Sequence, residues 1–134
     1  MALIEGYLTH RMDGSVIYTA ARREMLARHH VIFARGIHED VDFIFRVYFH
    51  ARESAYLDKP LYRKRNHAAS ITQNISERHI DGYFRAWRAI GDFLASTDCS
   101  PEQRDEWRKS YRYGSVGVVA TRVREVVRHS QDPL

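Results

Sequence analysis

Between Asp40 and Arg52 the chain is almost continuously apolar, with Val41, Phe43, Ile44, Phe45, Val47, Tyr48, Phe49 and Ala51 interrupted only by Asp42, Arg46, His50 and Arg52. Asp42, Arg46 and His50 are spaced four apart, so on a helix they form one narrow polar stripe, and Asp42 is placed to pair with Arg46. The pattern therefore predicts a mostly buried helix. Further on, Ile80, Tyr83, Phe84, Trp87, Ile90 and Leu94 recur at helical spacing, with Arg85, Arg88 and Asp92 toward solvent. "SPEQ" from Ser100 offers a cap, a proline at the first helical position and a glutamine where a capping box needs one, so another helix is expected there, ending at Gly114. From Ser115 to His129, Val116, Val119, Ala120, Val123 and Val127 share one helical face, although so many β-branched residues also suit a strand.

The earlier part of the chain has a different rhythm. "SVIYT" (Ser15 to Thr19) follows Asp13-Gly14 and reads as a turn leading into a strand. Thr19 can cap a helix over Ala20 to His30, a stretch rich in good helix formers. "SAYL" and "LYRKR", separated by Asp58-Lys59-Pro60, read as short extended pieces, because Pro60 keeps the residue before it out of the helical region. These elements predict a mixed fold leaning mostly to helix: a few short strands in a small mixed sheet, then about three C-terminal helices.

A chain of 134 residues with 44% hydrophobic positions can bury one core, so a single domain over 1–134 is expected, with 130–134 as a disordered tail. The single Cys99 cannot form an internal disulfide, which fits a reducing, cytoplasmic setting. No apolar run reaches the length of a membrane span, and peripheral contact with the inner face of a membrane stays open. Most of the net charge of +4 lies in the first part, where residues up to Ile75 carry 11 basic and 8 acidic side chains. Despite a sequence pI of about 9.4, acidic residues are interleaved throughout, so nucleic acid is not the expected partner.

Candidate chemistry concentrates around the buried helix. Glu39 and Asp40 stand at its N-terminus, where unpaired backbone amides favour negative charge. Either they cap the helix, or one of them, held at the lip of a rigid element, acts as a general base. "DVD" at Asp40 to Asp42 matches an Asp-x-Asp metal motif, but residues two apart on a helix diverge by about 200°, so the pair cannot chelate one ion there. A site joining His38, Asp40 and His50 lacks a helix-spaced ligand set. After the helix, Arg63, Lys64 and Arg65 form a basic cluster.

The stretch "GIHEDVDFIFRVYFHARESAYLDKPLYRKRNHAASIT", residues 36–72, resembles the second half of the catalytic domain of family 2 glycosyltransferases. There a Glu-Asp pair and an apolar helix lead to a Pro-Leu-Tyr strand and an Arg-x-His-x-x-Ser element. The resemblance is ordered and ungapped, and "VIYTAARREMLARHHVIF" is similar to the strand and helix that precede it in that family. It implies a GT-A type fold and inverting transfer of a sugar from a nucleotide-diphosphate donor to a glycan acceptor hydroxyl, as in polysaccharide synthesis. Residues 15–72 would form the acceptor and catalytic-base half and 73–129 a C-terminal helical region. By the same resemblance Asp40 is the base and Glu39 its support, while Arg65, His67 and Ser70 lie near the donor diphosphate. A divalent metal, manganese or magnesium, is implied for the complete enzyme, with His67 the one candidate ligand here. The family's nucleotide-binding N-terminal half, which ends in the metal-binding Asp-x-Asp, has no counterpart in this sequence. The expectation is thus a part of an enzyme, inactive alone and homo-oligomeric, or alternatively a non-catalytic interaction or oligomerisation module.

Overall fold

The first helix, α1 (Ala2–Leu8), buries Ile4, Tyr7 and Leu8, three positions that helical spacing brings to one side. The structure is a computed structural model, described for residues 2–12, 14–65 and 76–131. Among the described residues four further helices follow, α2 (Arg23–Arg28), α3 (Glu39–His50), α4 (Glu77–Ser96) and α5 (Pro101–Gln131), with one 3-10 turn at Val16–Tyr18. Among the described residues there is no strand, so the expected α/β arrangement with a small mixed sheet, and with it the GT-A-like fold, is corrected to an all-helical one.

The physical reason lies in burial. Residues 15–19 have β-branched character, but nothing lies alongside to complete a ladder, and the segment closes into the 3-10 turn through Tyr18 N–H to the Ser15 carbonyl. Thr19 is extended, and its hydroxyl turns back to the Ser15 carbonyl instead of capping α2, which is shorter than the sequence predicts. "SAYL" and "LYRKR" fall in an irregular segment in which Tyr56, Leu57, Leu61 and Tyr62 are all exposed. With no face buried, such strands would gain nothing from pairing.

Helix α3 is the central element, as its composition predicts. Ile44 and Phe45 are fully buried, with Val41, Phe43 and Val47 nearly so. Burying a side chain such as Phe45 contributes on the order of 1.5–3 kcal/mol. Asp42 is buried as well, and its Oδ2 accepts from Arg46 Nε at 2.8 Å, the pairing expected from the four-residue spacing. Arg46 in turn lies over the Phe93 ring of α4, 4.6 Å from its centroid. Phe49 meets Phe93 at 4.8 Å and Trp107 of α5 at 5.4 Å, so the last turn of α3 packs into the angle between α4 and α5.

Helices α4 and α5 are joined by polar contacts as well as by packing. Trp87 Nε1 donates to Ser115 Oγ at 2.7 Å, and Tyr111 Oη donates to the Trp87 carbonyl at 3.1 Å. Arg104 donates to the carbonyls of Ala95 and Thr97, satisfying the C-terminal end of α4. Ser100 accepts from Gln103 N–H at 3.2 Å and starts α5 where the sequence predicts. The helix then runs through Gly114 instead of ending there, so among the described residues the C-terminal region holds two long helices and not three. Gly114 is required for proximity: a Cβ there would lie 1.9 Å from the Leu8 carbonyl oxygen, where the end of α1 crosses α5.

Candidate functional site

Approaching α3, the chain passes through two left-handed positions, Gly36 with φ 117° and His38 with φ 64°. A non-glycine residue there is uncommon, and the turn it makes sets His38 as the residue before the first helical turn. Its ring meets Tyr83 at 5.1 Å and His79 at 5.8 Å, both edge-on and both from α4. Neither His38 Nε2 nor His79 Nε2, each shielded from solvent, has a hydrogen-bond partner among the described residues.

Glu39 and Asp40 occupy the first turn of α3 but in different surroundings. Glu39 is exposed, whereas Asp40 is half-buried and lines a cleft of about 250 Å³ together with Tyr7, His10, His38, Tyr83 and Trp87. Burial pushes the Asp40 carboxyl above its ordinary value, with the neighbouring Glu39 charge adding to the effect; backbone amides of the helix start and His38 oppose it without cancelling it. Burial likewise holds His38 below its ordinary value, against the pull of Asp40. Tyr83 is raised, chiefly by burial, although the Arg122 guanidinium stacked 4.7 Å from its ring centroid acts the other way. Tyr7 is raised for the same reason, and its hydroxyl donates to the Val41 carbonyl at 2.6 Å, which fixes α1 to the mouth of α3. The cleft thus presents one carboxylate of raised basicity, walled by aromatic rings, in a partly water-depleted setting.

The other expected site residues are not gathered around it. Arg65 is exposed in the irregular segment and is not among the residues lining the cleft. His67 and Ser70 lie outside the described residues. Asp42 faces Arg46 and not the cleft, as the divergence of positions two apart on a helix requires. His50 sits at the far end of α3, about 15 Å along the axis from Asp40, with its ring stacked on His29 at 4.0 Å. No group of three or more His, Cys, Asp or Glu side chains among the described residues is placed to hold a metal ion, so these residues do not fit the implied divalent cation. No family model, curated protein or solved structure matches the chain.

Nothing in the sequence pattern marks Tyr7, His10 or Tyr83 as site residues. Tyr7 and His10 belong to α1 and the turn after it, which the amino-terminal residues did not announce as a helix. Tyr83 looked like an ordinary member of an apolar stripe. Only the left-handed turn at His38 brings it beside Asp40, and a positive φ at histidine leaves no trace in a hydropathy pattern.

Proposed function

We propose that the chain supplies the acceptor side of an inverting glycosyl transfer, with Asp40 as the base that removes the proton from an attacking sugar hydroxyl. The observation that carries this reading is the position of Asp40: a half-buried carboxylate of raised basicity at the end of a rigid, buried helix, opening into a cleft. The ordered likeness of residues 36–72 to family 2 glycosyltransferases supports the same assignment. Glu39, exposed beside it, raises the Asp40 pKa through its charge, which is a supporting role. Arg65, His67 and Ser70 are the groups proposed to face the donor diphosphate, and the donor is a nucleotide sugar used on the cytoplasmic side.

The test is transfer from nucleotide sugars by the protein as encoded in its native reading frame. Asp40→Asn keeps size and much of the hydrogen bonding while removing basicity, so turnover should fall by about a hundredfold to ten-thousandfold with donor affinity little changed. Glu39→Gln should do less, and full activity in Asp40→Asn would discard the assignment.

A second reading, a non-catalytic interaction module, is favoured by the apolar groove that Ile80 and Phe84 of α4 form with the last turns of α5. Uridine diphosphate binding separates the two readings, because a pure interaction module has no reason to recognise a diphosphate.

A further inference from the structure

Tyr83 enters the Asp40 cleft from α4, and its ring is held in place by three elements. Its neighbour Gly82 lets α4 come against the chain just before α3, since a Cβ there would lie 2.6 Å from the Ile37 carbonyl oxygen. The His38 ring meets the Tyr83 ring edge-on at 5.1 Å, and the Arg122 guanidinium of α5 lies 4.7 Å from its centroid. The hydroxyl itself has no hydrogen-bond partner among the described residues and is not one of the polar atoms shielded from solvent. A half-buried hydroxyl that the protein leaves unmatched in a cleft is available to a ligand.

The other polar side chains of the cleft are committed elsewhere. Tyr7 donates to the Val41 carbonyl at 2.6 Å, Trp87 Nε1 donates to Ser115 Oγ at 2.7 Å, and His10 Nε2 meets the Gly114 carbonyl at 3.1 Å. His38 Nε2 is shielded, and Ser15 has a partner of its own. Asp40 keeps capacity beside Tyr83: the backbone amides of Asp40 and Val41 reach its carboxylate, which offers about four acceptor directions. The ionised Asp40 only accepts, and Tyr83, kept protonated by burial, donates. A ligand group that answers both must donate and accept at once. An alcohol does so, whereas an ammonium only donates and a carboxylate only accepts.

We propose that Tyr83 binds the acceptor, its hydroxyl donating to the oxygen of the sugar hydroxyl whose proton faces Asp40, and that the cleft takes a single terminal sugar unit. This rests on the acceptor-side reading of Asp40 and adds to it a second point of hold. At about 250 Å³ the cleft is smaller than the roughly 300–1,000 Å³ that drug-sized ligands fill, so one sugar ring suits it and a longer chain continues outside. In the transfer step the hydroxyl proton passes to Asp40, the oxygen's electron pair forms the new glycosidic bond, and the nucleotide diphosphate leaves with the pair of the bond that breaks. Negative charge grows on the attacking oxygen as its proton departs, and a donor already aimed there stabilises it.

Binding is read by saturation-transfer NMR of the full chain with methyl β-glucoside, methyl β-galactoside and N-acetylglucosamine, beside cyclohexylamine and cyclohexanecarboxylate as ring-sized carriers of an ammonium and a carboxylate. At least one sugar should bind, and neither control should. Tyr83→Phe keeps the ring and with it the His38 and Arg122 contacts, so helical circular dichroism should persist while sugar affinity falls about tenfold, as the loss of one hydrogen bond implies. In the transfer assay the same variant should raise the acceptor KM about tenfold and leave the donor KM unchanged. Should Tyr83→Phe lose its helical signal, movement of the Tyr83 ring resonances on sugar titration of the unaltered chain decides the matter. The two readings fail separately: full transfer in Asp40→Asn discards the base, whereas a folded Tyr83→Phe that binds and uses sugar like the unaltered chain overturns the role of Tyr83. Binding of none of the three sugars, binding that leaves the Tyr83 resonances unmoved, or preference for either control overturns it as well.

Discussion

His38 combines a left-handed backbone with a half-buried ring whose shielded Nε2 has no hydrogen-bond partner among the described residues, and the burial opposes protonation of the ring in the folded chain. His50 is lowered too, first by burial and then by the stacked His29. A histidine whose pKa falls on folding adds stability that is present above its unfolded value of 6.5 and is lost as pH drops toward the folded value. Asp40 works in the opposite sense. Its pKa is raised above 3.8, so its contribution is complete only below that value and disappears as pH rises through the folded one. The melting temperature is therefore expected to fall as pH drops from neutral into the range below 6.5, and to fall less in His38→Asn, since asparagine tolerates the left-handed backbone while carrying no titrating ring. Thermal scans across that range check it, and an unchanged pH slope in His38→Asn would show that the ring titrates as freely folded as unfolded. What the sequence pattern alone marks at this site is the Glu39–Asp40 pair, because acids at the mouth of a very apolar helix are visible in the pattern. What raises the Asp40 pKa is the enclosure by α1 and α4, which no local spacing encodes.

Among the elements, α5 sets helix propensity against packing most directly. Replacing an interior helical glycine with alanine ordinarily favours the helix by about 1 kcal/mol. At Gly117 the added Cβ would meet only the His10 ring edge at 3.3 Å, a contact a side chain can yield to, so Gly117→Ala should be neutral or mildly stabilising. At Gly114 the neighbour is the Leu8 backbone carbonyl at 1.9 Å, so α1 must move off, and the His10 Nε2 contact to the Gly114 carbonyl at 3.1 Å goes with it. Gly114→Ala should lower the melting temperature clearly, despite its better propensity. Equal stabilisation by both substitutions in thermal denaturation would mean that α1 does not dock on α5. The same glycine is a local signal for a helix end, whereas its role here is close approach by another element. Elsewhere local signals sufficed. The start of α3, to within one residue, and the Ser100 start of α5 followed from an apolar run and a cap, since burial and capping act within one or two turns, whereas α3 stops at His50, short of Arg52. The strands failed because a strand needs a partner, and β-branched composition at 15–19 says nothing about whether one exists.

At the scale of the whole molecule, one apolar core draws on α1 and α3 from the first half of the chain and on α4 and α5 from the second. Between them runs an irregular segment in which every residue from Arg52 to Arg65 is exposed, and whose backbone carries a single backbone–backbone hydrogen bond among the described residues, from Lys59 to Leu57. Its one ring contact to the rest of the described chain pairs Tyr62 with Tyr18 at 6.3 Å. A protease needs several consecutive residues of extended, accessible backbone, which helices deny and this segment offers. Brief trypsin treatment should therefore cut first at Arg52 or the Arg63-Lys64-Arg65 cluster, before the arginines of α4 and α5, while Pro60 protects the bond after Lys59. The two products should nevertheless stay together, because the fully buried Phe45 and Ile90 sit on opposite sides of the cut and belong to the same core. Gel filtration of the nicked protein is expected to give one peak at the intact volume, and denaturing electrophoresis two bands. Separation of the pieces under native conditions would mean that the halves fold independently, and the enclosure of Asp40 by Tyr7 from one half and Tyr83 from the other would then have no common scaffold to hold it.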